Sequence, residues 1–293
     1  MSRGSGIWQL VAQGYEPDII AAGEQLGFLE ASNALYINMF GVDPGWWQLE
    51  AGYSSCAEAE AAKATLNPDF QLDVAELPDT DWVREVQKQL DPSRGGRFLL
   101  YGSHDRDTVG ERLGTNDIGI EVEAGPAFGS GHHPTTQGCL EVLTDLLEER
   151  DYKRALDVGC GTGVLAIAVA LVTDAEVVAS DIDPDAVEVA QETAELNGAD
   201  ITVHLADGLD HPALAGPFDL VIANILAGPL EELAPDIAKA TADGSLLVLS
   251  GLLDEQADSI ISAYNAHGFA GGTGPSREGW RTLVFHKPPL TKP

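Results

Sequence analysis

The sequence has little positive charge. Sixteen lysines and arginines stand against 47 aspartates and glutamates, a formal net charge of −31 over 293 residues. Such a surface repels nucleic-acid backbones, so direct nucleic-acid binding is not expected. It attracts basic protein partners, although a salt-adapted or simply acidic proteome accounts for it equally well. Cysteine is scarce too. Cys56, Cys139 and Cys160 are an odd, widely spaced set, which argues against a disulfide framework or a zinc site. A reduced, cytoplasmic setting is the expectation. No hydrophobic run approaches membrane-span length, and the longest, 164–172 and 246–253, fit buried elements. Residues 1–8 carry no apolar signal core, and no repeat of solenoid period is visible. Apolar residues, at 44%, suffice for a real core in one large or two modest domains.

Hydrophobic periodicity divides the chain. Residues 1–78 read as a small α+β unit, with strands over 7–12, 34–40 and 46–53 and helices over 16–26 and 55–65. That order fits a ferredoxin-like sandwich. Residues 79–95 read as a connecting helix or linker. Residues 96–293 read as the larger domain, entered by strands at 97–101 and 118–122 and a helix over 135–149. Strands then follow at 154–158, 176–181, 201–205, 218–223, 245–250 and 281–286, with helices over 163–172, 184–197, 229–240 and 254–266. Alternating β and α elements predict an α/β fold with a parallel, doubly wound, Rossmann-like sheet. Arg94, Arg97, Arg106 and Arg112 cluster near the domain entry, with Arg84 and Lys88 just before them. A contact patch, a hinge and a chance cluster all fit that spacing.

The densest signal is at 154–163. A short apolar run holding Asp157 breaks into Gly159, Gly161 and Gly163, and a helix-like run follows at once. Glycines permit a tight turn and close approach of a ligand to the backbone, and a helix start offers free N–H donors. The loop also fits a dinucleotide pattern. Asp181 lies 22 residues after Gly159, at the tip of the next strand, where a carboxylate can accept both hydroxyls of a ribose. Asp183, just before Pro184, is the better helix cap. No Walker lysine follows the glycines, which argues against a phosphate-binding P-loop. Cys160 inside the loop reads as a small packing residue, with a catalytic thiol as the minor alternative.

Three further places carry candidate chemistry. Asn224 stands at the tip of the strand at 218–223, the fourth of the alternating series. It can cap or turn the chain there. It can also orient an amine: a lysine has a reference pKa near 10.4 and attacks only once deprotonated. A neutral carbonyl directs the lone pair, whereas a carboxylate would favour the unreactive ammonium. The segment 125–136 sets glycines around Phe128 and ends on Thr135 and Thr136 in the first turn of a helix. Such a loop can lie over a flat ligand, with Phe128 stacking on cofactor or amine or else anchoring the loop. His132 and His133 are adjacent, so they rarely converge on one ion, and no metal is expected. Asp207 can contact an adenine amino group or simply form an Asp-Gly turn.

These strings together resemble the PrmA family. The matching segments are Ala127-Phe-Gly-Ser-Gly-His-His-Pro-Thr-Thr136, Leu156-Asp-Val-Gly-Cys-Gly-Thr-Gly-Val-Leu-Ala-Ile-Ala168, Asp181-Ile-Asp-Pro184, Ala223-Asn-Ile-Leu-Ala-Gly-Pro-Leu230 and Leu249-Ser-Gly-Leu-Leu-Asp-Glu-Gln256. The resemblance covers about residues 120–265. It implies a class I methyltransferase with a small N-terminal recognition domain. Its cofactor would be S-adenosyl-L-methionine, contacted at Thr136, Gly159, Asp181 and Asn224, with Gly161, Asp207 and Phe128 as further candidates. The implied reaction is methylation of lysine ε-amines and the N-terminal α-amine of a basic substrate, the eleventh protein of the large ribosomal subunit, by a cytoplasmic monomer. Ser130 stands where the family often has threonine. The N-terminal part departs most, agreeing only in layout and in Asp81-Trp82. The alternatives are methylation of another protein or a small-molecule amine, an NAD-dependent oxidoreductase, and a non-catalytic cofactor-binding scaffold. Asn224 with no nearby His, Lys or Tyr argues against hydride chemistry.

Overall fold

The computed structural model describes residues 7–28, 34, 36–43, 45–67, 69–76, 91–122 and 133–289. The chain forms two compact units, Met1–Glu85 and Val86–Pro293.

The first unit runs β1 (Trp8–Tyr15), α1 (Glu16–Phe28), β2 (Tyr36–Asp43), β3 (Trp46–Tyr53), α2 (Cys56–Lys63) and β4 (Gln71–Glu76). The sheet is antiparallel in the order β2-β3-β1-β4, which is the ferredoxin-like arrangement. Alternate residues of β1 and β3 face inward. Leu10, Ala12, Leu49, Ala51 and Tyr53 pack with Ile19, Leu26 and Ala59 from the helices. Ser55 caps α2 by accepting from the Glu58 N–H.

The second unit opens with a small sheet of β5 (Ser93–Gly95), β6 (Phe98–Tyr101) and β7 (Ile118–Glu121). Residues 93–95 therefore belong to a strand, where the sequence reads a connecting helix; residues 79–90 of that helix lie outside the described residues. Pro92 stops a helix, and Gly96, at φ 55°, turns β5 back along β6. The arginines of this region pair within the chain. Arg94 meets Asp117 at 2.7 Å, Arg97 meets Glu148 at 3.2 Å and Arg112 meets Asp91 at 3.3 Å. Arg106 clasps the buried Glu121, with Nε 2.8 Å from Oε2. The cluster thus ties the entry sheet to its surroundings.

The main sheet comprises β8 (Arg154–Val158), β9 (Glu176–Asp181), β10 (Ile201–Leu205), β11 (Phe218–Asn224), β12 (Thr241–Leu253), β13 (Ala270–Thr273), β14 (Ser276–Arg277) and β15 (Trp280–His286). Its order is β10-β9-β8-β11-β12-β15-β13, with β14 paired to β15. The helices are α3 (Pro134–Glu149), α4 (Val164–Ala170), α5 (Pro184–Asn197), α6 (Ala227–Ala240) and α7 (Ala257–Ala266). Both sheet faces are buried. Ala155, Leu220 and Ile222 pack on one side with α3 and α4, while Leu156, Val158, Val221 and Ala223 pack on the other with α6 and α7. That two-sided burial explains the nearly continuous apolar strands.

One strand departs from the expected parallel pattern. β15 runs antiparallel to both β12 and β13. Arg277 pairs directly with Trp280, leaving the two-residue loop Glu278-Gly279. Both loop residues have positive φ, 51° and 82°, the sign pattern of a type I′ hairpin turn. So tight a loop forces the chain to reverse.

Candidate functional site

The strand order reverses between β8 and β11, and ligands of such sheets bind beyond the C-terminal strand ends at that point. A cavity of about 600 Å³ lies there. Its floor is the glycine loop after β8. Gly159, Gly161 and Gly163 have φ of 70°, 53° and 76°, where a side chain is strained. A Cβ on Gly159 would also stand 2.3 Å from Ile225 Cγ2. The loop is tied to β9, because the N–H groups of Gly159 and Cys160 both donate to the Ser180 carbonyl, at 2.8 and 2.9 Å.

Each sequence-predicted residue that lies among those described reaches this cavity. Thr136, Gly159, Gly161, Asp181, Asp207 and Asn224 all line it; Phe128 lies outside the described residues. Asp181 braces the loop, with Oδ2 accepting from the Gly161 N–H at 2.8 Å and Oδ1 from the Asp183 N–H at 3.1 Å. Asp183 caps α5 through the Asp185 N–H, which frees Asp181 from that task. Asp207 sits in a real turn, with Gly208 at φ 56°, and lines the cavity as well. Asn224 caps nothing: the residue before α6 is Leu226, with no side-chain cap.

Three buried polar atoms at the strand tips have no hydrogen-bond partner: Asp157 Oδ1, Ser180 Oγ and Asn224 Oδ1. They come from β8, β9 and β11 and belong to residues that line the one cavity. Leaving a buried polar atom unpaired costs about 1–3 kcal/mol, so such a cluster marks a place built for a polar ligand. Asp157 is 1% exposed. Its Oδ2 accepts from the Ala166 N–H at 3.1 Å. Burial pushes its pKa from 3.8 up to about 7, with the Asp181 charge adding to the rise. The described lining holds Asp157, Asp181, Asp207 and Glu232 and no lysine or arginine. Burial raises the Cys160 thiol pKa, which keeps it protonated and argues against a catalytic thiol.

Two aromatic rings stand on the wall: the sequence reading weighed His133 only as a metal ligand and did not single out Trp280. His133 precedes α3, with Nδ1 2.8 Å from Thr135 Oγ1. Trp280 meets the His133 ring edge-on at 4.7 Å. Only the hairpin brings Trp280 beside a residue 147 positions earlier, and no local pattern signals that pairing. Gly251, at φ 86°, lets β12 pass close to the Ile225 carbonyl. Among the described residues, no group of three or more His, Cys, Asp or Glu is placed to hold a metal, and no helix is long and apolar enough to cross a membrane.

The glycine loop, the acid at the β9 tip and the single reversed strand define a Rossmann-like α/β methyltransferase. The chain belongs to the PrmA family: residues 43–288 match the family described as ribosomal protein L11 methyltransferase. A ribosomal protein L11 methyltransferase of Brucella abortus (strain S19) is 46% identical over 230 residues, 76% of this chain and 79% of its own. One from Rhizobium rhizogenes (strain K84) is 44% identical over 225 residues, 75% of this chain and 76% of its own. The solved ribosomal protein L11 methylase of Lactobacillus delbrueckii subsp. bulgaricus superposes with a TM-score of 0.61 at 25% identity. That match covers 68% of this chain and all of the other.

Proposed function

We propose that this protein uses S-adenosyl-L-methionine to methylate amines of ribosomal protein L11, the lysine ε-amines and the N-terminal α-amine. The observation that carries the cofactor reading is the set of unpaired atoms on Asp157, Ser180 and Asn224 around one acidic cavity. A dinucleotide brings a negative pyrophosphate, which the cavity carboxylates of Asp181, Asp207 and Glu232 would repel. A sulfonium and an ammonium are cations, and that field attracts them. The residues therefore fit this cofactor better than a nicotinamide.

When bound, the cofactor supplies an electrophilic methyl group on a sulfonium. The chain's own residues then have distinct tasks. Asp181 holds the loop in shape and presents its carboxylate to the ribose hydroxyls. Asp157 offers the buried unpaired oxygen to the positive methionine portion. Thr135 and Thr136, in the first turn of α3, and Asp207, beyond β10, contact other parts. Asn224 is the catalytic residue: its neutral amide oxygen accepts a hydrogen bond from the incoming amine and directs the lone pair. Most of the acceleration comes from that placement. The N-terminal unit, predicted as 1–78, selects the protein substrate. L11 is a ribosomal protein, so the reaction belongs in the cytoplasm, where ribosomes are assembled.

The test is incubation of the purified protein with methyl-labelled S-adenosyl-L-methionine and purified L11, followed by mass spectrometry of the products. Label on L11 amines is expected. Label absent from L11 but present on another protein of a cell extract would overturn the substrate assignment. Removing residues 1–78 should abolish labelling of L11 while leaving cofactor affinity in place.

A further inference from the structure

We infer that the N-terminal unit docks a lysine- or arginine-bearing segment of its protein substrate on the helix-free face of β3, β1 and β4: Glu50 and Asp73 pair the cations, and Tyr15 and Trp46 hold a side chain further along. This rests on the reading that the unit selects L11, and it names the surface that does so.

Both helices of the unit lie on one side of its sheet. Leu10, Ala12, Leu49 and Ala51 point to that side and pack with Ile19 and Ala59. Successive strand residues alternate between faces, so the intervening residues form the other side. The strand registers set these in rows. Trp46 lies beside Tyr15, Gln48 beside Gln13 and Gln71, and Glu50 beside Val11 and Asp73. Tyr15, Gln71 and Asp73 are exposed, while Val11, Gln13, Trp46, Gln48 and Glu50 are half-buried.

The chemistry of the rows is one-sided. A carboxylate only accepts hydrogen bonds, so Gln48 Nε2, 2.6 Å from Glu50 Oε1, is the donor there. The Gln48 carbonyl oxygen is thereby turned to Gln13 and accepts from its Nε2. The Gln13 carbonyl oxygen, the second Glu50 oxygen and both Asp73 oxygens are left as acceptors with no partner among the described residues. Val11 separates Glu50 from Asp73 by two strand spacings, roughly 10 Å. No described cation relieves either charge: among the described residues of the unit, Lys63 is the one lysine or arginine, and it pairs with Glu60 on α2 at 3.8 Å.

This pattern selects the occupant. A substrate methylated at lysines presents ammonium groups. A lysine lying over Val11 rests its methylene stem on an apolar side chain and sets its charge between two carboxylates. Tyr15 is 67% exposed and meets Trp46 edge-on at 5.3 Å. That pair stands four residues along β1 from Val11, about 14 Å, and offers aromatic surface to an apolar or cationic side chain of the same segment. A nucleic acid, another ligand of open sheets with aromatic residues, needs basic groups beside the rings, and these rows carry none.

The test uses the full chain, with initial rates of L11 methylation measured against L11 concentration at low and high salt. Glu50→Gln with Asp73→Asn should raise KM for L11 about tenfold at low salt, and the difference should shrink as salt rises. Its kcat and cofactor affinity should stay within about twofold of wild type, because the face touches neither the cofactor nor the reacting amine. Tyr15→Ala should raise KM about fivefold, and Tyr15→Phe should restore it. Asp18→Asn with Glu60→Gln removes the same charge from the helix side and should leave KM within about twofold, which separates this face from the acidity of the whole unit. A KM unchanged in the Glu50 and Asp73 double variant, or raised equally in the helix-side control, overturns the docking face. Binding of single-stranded RNA that Tyr15→Ala weakens overturns it as well. If L11 is not labelled but another protein of a cell extract is, the substrate assignment fails and the face is read on that protein: labelling about tenfold slower in the double variant upholds the face, and unchanged labelling overturns it. If no protein is labelled, both readings fail.

Discussion

Asp157→Asn separates the stability of this protein from its function. Asp157 is a carboxylate in the apolar end of β8, with one oxygen paired to the Ala166 N–H and the other unpaired. Its pKa rises from the ordinary 3.8 to about 7 in the fold, so the native state holds a proton that the unfolded chain releases. Native stability from this group is therefore fully present below about pH 4, is lost as pH rises toward 7, and changes no further above that. At about 1.36 kcal/mol per tenfold change in the proton equilibrium, the whole loss is ~4 kcal/mol. The part falling between pH 5 and pH 8 is ~3 kcal/mol. Asparagine keeps the shape and never ionises, so it escapes this loss. Urea unfolding of the ligand-free protein, followed by circular dichroism, should show the variant gaining ~3 kcal/mol on wild type between pH 5 and pH 8. The same variant should bind S-adenosyl-L-methionine more weakly at pH 8, because an amide cannot neutralise a cation. A stability difference that does not change with pH would refute the buried-carboxylate argument.

Three further outcomes follow from the same geometry. Asp181→Ala removes the acceptor of the Gly161 and Asp183 N–H groups and should weaken cofactor binding 10- to 100-fold, an estimate of about 1.5–3 kcal/mol; calorimetry reads it, and unchanged affinity would sink the ribose assignment. Asn224→Ala should reduce kcat on L11 by about 100-fold with a much smaller change in cofactor affinity; equal losses in both would leave Asn224 a binding residue only. Gly159→Ala brings a Cβ to 2.3 Å from Ile225 in a backbone with φ 70°, whereas Gly198→Ala, also at positive φ (64°), meets nothing within 4 Å. The second should cost about 1–2 kcal/mol of stability and leave cofactor binding intact. The first should abolish that binding, which equilibrium dialysis would detect.

The acidic surface looks different once the structure is in view. The arginine cluster at the domain entry, readable from sequence as a contact patch, is engaged by Asp117, Glu148, Glu121 and Asp91. These four arginines are engaged within the second unit. The excess acid is left for solvent and for the cavity.

What the sequence determined alone was set by local rules. Pro184 after Asp183 started α5, and Gly198 at φ 64° closed it. Two-sided burial made the middle of β8 and β11 largely apolar. The glycines of 159–163 required a turn that side chains resist, and Asp181 stood at the tip of the next strand. These patterns located six residues now found on one cavity. The tertiary structure decided the rest. Glycine-rich β13 and the short β5 and β14 lack a periodic pattern and exist because neighbouring strands supply their hydrogen bonds. The reversal of β15 depends on a two-residue turn whose partner strands become visible only when paired. Trp280 reaches His133 through that reversal, and the unpartnered Oδ1 of Asp157, Oγ of Ser180 and Oδ1 of Asn224 meet on one cavity because β8, β9 and β11 end together there. Local sequence specifies backbone preference and the buried face. Which side chains meet across the sheet depends on strand order, and strand order is settled by the whole fold.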